Sequence, residues 1–128
     1  MKATYKKYIL NFKRPSGTSR GIMTEKETWF LLLEENGKTG IGECGLLRGL
    51  SIDDRPDYEE KLQWVCENID LGTDKLCDEL IEFPSIQFGV EMAFLSLQSK
   101  SPFELFPSAF TNGNKNIRIN GLVWMGNE

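Results

Sequence analysis

Apolar and polar side chains alternate along the first third of the chain, which is the pattern of half-buried β-strands. The alternation predicts a first strand over Ala3–Phe12, and the aromatic and leucine-rich run Thr28–Glu34 predicts a second. The pair Asn36-Gly37 suits a type I′ turn, because both central residues of that turn take a positive φ angle. We therefore expect an antiparallel hairpin that continues into a third strand over Lys38–Cys44.

Two segments near these strands lack the alternation. Lys13–Gly21 reads KRPSGTSRG, and its proline, glycine and serine content predicts a loop. Its nine residues exceed what a hairpin requires, and long loops more often carry function. Gly45–Ile52 reads GLLRGLSI and is the second irregular segment. Both segments are candidates for contact with a ligand.

Beyond residue 52 the apolar positions change to a helical period. Asp53 or Asp54 would cap a first helix that has Pro56 in its first turn. A second, short helix is expected after Gly72-Thr73. The apolar faces of these two helices consist of Tyr58, Leu62, Val65, Cys66 and Ile69 in the first and Leu76, Cys77, Leu80 and Ile81 in the second.

A third helix is predicted over Ile86–Leu97, with Pro84 ending the second helix and Ser85 capping the third. This helix is apolar almost all the way round, so we expect it to be central and buried. Ser101–Phe110 predicts one further helical turn, and Ile117–Trp124 resumes the strand pattern. The aromatic residues expected in the core are Trp29, Phe30, Phe88 and Phe94.

The order of these elements indicates the α+β class, because the strands and the helices are segregated along the chain. We expect a three-stranded antiparallel meander followed by a helical bundle. The strand-like segment near residue 120 has no evident partner within the chain. An unpaired strand edge recruits partners, so we expect the isolated chain to self-associate.

Composition and charge narrow the classes of function. The net charge is −4 and the basic residues are scattered, so we expect no nucleic-acid partner. No apolar run approaches the length of a bilayer, so we expect no membrane partner either. The cysteines Cys44, Cys66 and Cys77 contain no Cys-x-x-Cys pair, which favours inert thiols in a reducing cytoplasm. The chain has no histidine and therefore lacks the commonest general base.

Four motifs follow one another along the chain: Ile41-Gly42-Glu43-Cys44, Leu46–Ser51, Ser85–Leu95 and Ile117–Leu122. Their order resembles the amino-terminal capping domain of the enolase superfamily, in its mandelate racemase/muconate lactonizing enzyme branch. This chain departs from the family's pattern at Leu47-Arg48, because the family has a proline beside the glycine of the second irregular segment. Thr18-Ser19-Arg20-Gly21 is most similar to the o-succinylbenzoate synthases of menaquinone synthesis. The last of the four motifs, Ile117–Leu122, resembles the first strand of the family's (β/α) barrel.

The resemblance implies a division of labour between two domains. Residues 1–111 would form the capping domain, and residues 112–128 a linker and the first strand of the family's carboxy-terminal barrel. In this superfamily Mg²⁺ and catalytic lysines serve proton abstraction next to a carboxylate. The metal ligands and the lysines lie on barrel strands, so the resemblance implies that they are absent from this chain. The chain alone would then be non-catalytic and hold no metal.

The resemblance also implies which residues touch substrate. The capping loops close over the barrel mouth, and they correspond here to the two irregular segments. Arg20 would bind a substrate carboxylate, Thr18 and Ser19 would donate hydrogen bonds, and Leu47 and Leu50 would form an apolar wall.

Three readings of function remain open from the sequence. The first is the capping part of a Mg²⁺-dependent o-succinylbenzoate synthase, whose partners are a small carboxylate substrate and its own barrel domain. The second is the same domain of a dipeptide epimerase or a muconate cycloisomerase-like enzyme. The third is a free-standing binding domain without chemistry.

Overall fold

Residues 2–18 and 21–44 form a three-stranded antiparallel sheet in the computed structural model, which describes residues 1–18 and 21–121. The strands are β1 (Lys2–Thr18), β2 (Gly21–Glu35) and β3 (Lys38–Cys44), with β2 in the centre. Asn36 and Gly37 have φ angles of 51° and 76°, as a type I′ turn requires. The predicted meander and its second turn are therefore confirmed.

The loop predicted over Lys13–Gly21 is wrong, because β1 continues to Thr18 and β2 already begins at Gly21. Asn11 pairs with Glu25, and the next pair along the ladder is Ser16 with Met23. Residues 12–15 of β1 thus bulge out opposite a single residue of β2. A bulge of this kind accommodates Pro15, which cannot donate to the ladder, and pairing resumes beyond it.

The hairpin of β1 and β2 is longer than the sheet to which it belongs. β3 pairs only with the second half of β2, from Trp29 opposite Cys44 to Glu35 opposite Lys38. The first half of β2 and its partners on β1 therefore form a two-stranded arm beside the carboxyl end of β3.

Between the sheet and residue 121, the chain forms three α-helices: α1 (Tyr58–Glu67), α2 (Thr73–Asp78) and α3 (Pro84–Gln98). A 3₁₀ turn over Ile69–Leu71 joins the first two. Pro84 opens α3 instead of ending α2, because a proline is well tolerated at the first helical position.

The predicted cap of α1 is also wrong. The position before α1 is Asp57, and it makes no side-chain capping bond. Asp53 is 1% exposed and instead accepts hydrogen bonds from the backbone amide of Ser85 at 2.8 Å and from its hydroxyl at 2.5 Å. Asp53 therefore satisfies the amino terminus of α3, and Ser85 lies inside that helix.

The core lies between the sheet and the helices, with α3 packed on β3. Trp29, Leu31 and Leu33 of β2 are fully buried in one cluster with Ile86 and Val90 of α3. The central position predicted for α3 is thus confirmed for one of its faces. The other members of the buried apolar cluster are Cys44, Leu46, Tyr58, Leu62, Val65, Ile69, Leu76, Leu80, Phe83, Ala93 and Leu97.

The predicted aromatic core is confirmed only in part. Trp29 is fully buried, and Phe30 and Phe94 are half-buried. Phe88 is 55% exposed, so its assignment to the core is wrong. The apolar character of α3 on all sides concealed which face the sheet covers.

The segment that follows α3 consists of turns and extended chain up to residue 121. The helical turn predicted over Ser101–Phe110 is absent there, because a series of turns takes its place. Of the strand predicted over Ile117–Trp124, residues 117–121 are not in a strand, and the remainder lies outside the described residues. The domain boundary after residue 111 and the self-association of the chain stay predictions. None of the helices in residues 1–18 and 21–121 has the length and apolar character needed to cross a bilayer.

Candidate functional site

An open groove of about 540 Å³ lies between the arm and the segment that follows β3. One wall is the start of β2, Gly21–Glu27, and the other contains Leu46, Leu47, Arg48 and Leu50. The arm brings Gly21, the last residue of one predicted irregular segment, beside the other segment. Both segments contribute to this groove.

The structure places two of the five site residues predicted from the sequence in the groove. Leu47 is half-buried and Leu50 is 52% exposed, and both line the groove. Thr18 ends β1 with its backbone paired to Gly21. Ser19 and Arg20 lie outside the described residues. The groove therefore brings the two leucines together beside Gly21, and the roles assigned to Thr18, Ser19 and Arg20 remain predictions.

The leucine wall has a defined conformation because the segment folds back on itself. The amides of Leu50 and Ser51 donate to the Leu47 carbonyl at 3.1 and 2.9 Å. The Leu47 amide in turn donates to the Ser51 hydroxyl oxygen at 2.8 Å. Gly49 has a φ angle of 70°, a conformation that favours glycine. These bonds make a compact turn of residues 47–51.

Ion pairs connect the leucine wall to β2. Arg48 donates through Nε to Glu27 and through Nη1 to Asp54, both at 2.7 Å. Asp54 also accepts the backbone amide of Gly49 at 2.6 Å. On the opposite side, Lys7 of β1 contacts Glu27 at 2.6 Å. The side chain of Arg48 therefore bridges β2 and the segment that follows β3.

The same contacts shift the pKa values of the acids. The pKa of Glu27 lies below its ordinary value, first through the hydrogen bond from Lys7 and then through that from Arg48. The pKa of Asp54 is lowered mainly by the Gly49 amide and next by Arg48. Both carboxylates are thus held in their charged form, which makes them poor proton donors at neutral pH.

Lys26 is the second cation that lines the groove. Its ammonium is 3.8 Å from Glu43, a longer contact than those of Lys7 and Arg48 with Glu27. Glu43 also accepts a hydrogen bond from the Thr28 hydroxyl at 2.8 Å. This bond ties the end of β3 to β2 and gives Glu43 a structural role.

The acids Asp53, Asp54 and Asp57 have metal-like spacing in the sequence but separate partners in the structure. Asp53 binds Ser85, Asp54 binds Arg48, and Asp57 binds Arg55 at 2.9 Å. Across residues 1–18 and 21–121 there is no group of three or more potential ligands that could hold a metal ion. The described residues therefore do not fit a Mg²⁺ site.

Sequence reasoning missed Lys26 and the bridging role of Arg48. No strand signal marked Lys26, because Glu25, Lys26 and Glu27 are all charged and precede the predicted strand. No local signal pairs Arg48 with Glu27, because the pair is separated by 21 positions and depends on the length of the arm.

Solved structures share this architecture. The chain superposes on MenC from Desulfotalea psychrophila LSv54 with a TM-score of 0.76 and 28% identity, over 99% of this chain and 42% of that one. A mandelate racemase/muconate lactonizing protein from Herpetosiphon aurantiacus gives 0.62 at 17% identity, over 77% of this chain and 30% of that one. The o-succinylbenzoate synthase from Thermosynechococcus elongatus BP-1, complexed with Mg in its active site, gives a TM-score of 0.56 at 19% identity, over 81% of this chain and 31% of that one. The fold is that of the enolase-superfamily amino-terminal capping domain.

A narrower assignment follows from the sequence comparisons. Residues 2–97 match the model of the MenC N-terminal domain, and the chain belongs to that family. It is also 35% identical to the o-succinylbenzoate synthase of Desulfotalea psychrophila (strain LSv54 / DSM 12343), over 98% of this chain. The chain spans 43% of the length of that relative. The predicted resemblance and the predicted fold class are thereby confirmed.

Proposed function

We propose that this chain is the substrate-capping part of a Mg²⁺-dependent o-succinylbenzoate synthase, an enzyme of menaquinone biosynthesis. The observation that carries the proposal is the 35% identity to such an enzyme along nearly the whole chain. In this proposal the cap covers the mouth of a barrel domain, which corresponds to the part of the relative that this chain does not match. The setting is the cytoplasm.

The groove suits the chemistry of o-succinylbenzoate, the product that gives the proposed enzyme its name. o-Succinylbenzoate joins an aromatic ring to two carboxylates. Leu47 and Leu50 offer an apolar wall for a ring, and Lys26 offers a positive charge at the opposite wall. Arg20 would bind a carboxylate bidentately, with Thr18 and Ser19 as hydrogen-bond donors. These residues bind and orient the substrate and exclude water from it.

The chemical step is assigned to the barrel domain. The described residues of this chain do not fit a Mg²⁺ site, so the metal ligands are expected on that domain. When bound in the complete enzyme, Mg²⁺ would stabilise the negative charge that develops when a proton next to a carboxylate is removed. The present chain alone is therefore expected to be inactive in dehydration.

The test is an assay of the complete gene product against a panel of superfamily substrates. We expect Mg²⁺-dependent formation of o-succinylbenzoate that is abolished by a chelator. The 128-residue chain is the matched control and should give no turnover. Preferred epimerisation of dipeptides or cycloisomerisation of muconate would replace the proposal with another member of the superfamily. No turnover of any substrate by the complete product would favour a binding domain without chemistry.

A further inference from the structure

The structure contains a chain of five alternating charges, of which Glu27 and Arg48 line the groove. It runs from Glu59 on α1 through Lys7 on β1 and Glu27 on the arm to Arg48 and Asp54 in the segment after β3. The distances are 2.6 or 2.7 Å except for Lys7 to Glu59, which is 3.7 Å. Each inner member contacts opposite charges on both sides, so the charges compensate one another locally.

Arg48 is the link in this chain that crosses from β2 to the leucine wall. Its guanidinium bonds Glu27 through one nitrogen and Asp54 through another. It also lies over the ring of Trp29, with Cζ 5.4 Å from the ring centroid. Trp29 is fully buried, so this stacking fixes the guanidinium to the rigid core of the sheet.

Both acids that hold Arg48 are themselves anchored. Lys7 occupies the second oxygen of Glu27, and the Nζ of Lys7 lies 5.1 Å from the centroid of the same Trp29 ring. The second oxygen of Asp54 accepts the Gly49 amide at 2.6 Å. Arg48 therefore connects a fixed point on the sheet to a backbone atom inside the turn that carries Leu47 and Leu50.

We propose that Arg48 is a positioning residue, which holds the leucine wall at a set distance from β2 and so fixes the width of the groove. The effect of this groove width on substrate binding rests on the proposed function. The planar guanidinium reaches Glu27 and Asp54 through two different nitrogens, whereas a lysine has a single nitrogen to place between the two acids. Arg48 acts through the turn and is not itself a ligand for a substrate carboxylate.

The chain offers a matched control in Arg55. Like Arg48, Arg55 bonds two acids, Asp57 at 2.9 and 3.0 Å and Glu82 at 2.9 Å. It also lies over an aromatic ring, 4.7 Å from the centroid of Phe83. Arg55 does not line the groove. Replacing it removes the same kinds of contact from another part of the fold.

The test is amide hydrogen exchange on the full 128-residue chain and its variants Arg48→Met, Arg48→Lys and Arg55→Met. We expect Arg48→Met to accelerate exchange at Gly49, Leu50 and Ser51 by about 5- to 30-fold. This factor corresponds to the combined loss of two exposed ion pairs and one cation–π contact. Arg48→Lys should accelerate it less, and Arg55→Met should leave these amides unchanged. Exchange at core amides such as Leu31 should not change with Arg48→Met.

Two exchange results would overturn the inference. One is equal exchange at the three turn amides in wild type and Arg48→Met. The other is equal acceleration at the turn and at Leu31, which would make Arg48 a general stabiliser. In the complete enzyme, Arg48→Met should raise KM while kcat stays nearly unchanged, and Arg55→Met should alter neither. If the wild-type complete enzyme forms no o-succinylbenzoate, the proposed function fails, and the exchange data still decide the role of Arg48.

Discussion

Gly42 of β3 lies so close to Gly89 of α3 that a methyl group on Gly42 would overlap the Gly89 carbonyl group. A methyl group on Gly89 would in turn overlap the sulfur of Cys44. The helix thus rests directly on the backbone of the strand. This contact fixes the height of α3 above the sheet and, through Cys44, the point where the groove segment leaves β3.

Gly42→Ala should destabilise the fold because neither backbone can move away without breaking its own hydrogen bonds. We expect a loss of about 1–3 kcal/mol in the free energy of unfolding, the usual cost of overpacking. Denaturant unfolding followed by circular dichroism measures it. Gly17→Ala is the control, since a methyl group at Gly17 in β1 meets nothing within 4 Å. Equal stability of the two variants would show that α3 is not seated on β3 in this way.

The elements that sequence predicted well are those fixed by local chemistry. Asn36-Gly37 determines its own turn, since few other residues accept two positive φ angles in succession. The helical period likewise identified α1 and α3, although their exact ends shifted by a few residues. The continuation of β1 beyond Phe12 was missed because proline and glycine normally end strands. Here a bulge accommodates Pro15, and the pairing of β1 with β2 continues beyond it.

The parts that sequence could not predict depend on contacts between distant residues. Asp53 was expected to cap the helix next to it, but it bonds Ser85, which is 32 positions away. The bond between Arg48 and Glu27 likewise depends on the long arm, which places Glu27 beside Arg48. Leu47 and Leu50 line the groove, in the segment to which the family resemblance pointed. Their substrate contact stays a prediction.

The buried thiols give a prediction about reactivity and pH. Burial raises the pKa of Cys44 to about 12 and that of Cys66 to about 11. Since both values exceed the ordinary pKa of about 8.5, the neutral thiols favour the folded state below that pH. This contribution is lost as the pH rises from there through the folded-state values. Alkaline solution should therefore weaken the fold.

At pH of about 8 we expect Cys44 to react with a disulfide reagent much more slowly in the native chain than in denaturant, because the thiolate is the reacting form. Mass spectrometry of the labelled chain identifies which cysteine has reacted. The denatured chain is the control and should react at all three positions. Labelling of native Cys44 at the rate of the denatured chain would contradict its burial against α3.

Arg20→Ala in the complete enzyme should raise KM more than it lowers kcat. Arg20 would bind substrate and transition state about equally, so its loss removes uniform binding. A charge-assisted hydrogen bond of about 1.5–3 kcal/mol corresponds to about a 10- to 150-fold loss in kcat/KM. Arg20→Lys should recover part of it. Steady-state kinetics with an unchanged KM would remove Arg20 from the site.

The most direct test of the capping role is a crystal structure of the complete enzyme with Mg²⁺ and o-succinylbenzoate. The measured quantity is the shortest distance between the bound product and the side chains of Leu47 and Leu50. We predict at least one contact within about 4.5 Å, the limit for apolar side chains in contact. Product bound in the barrel with solvent between it and both leucines would contradict the account.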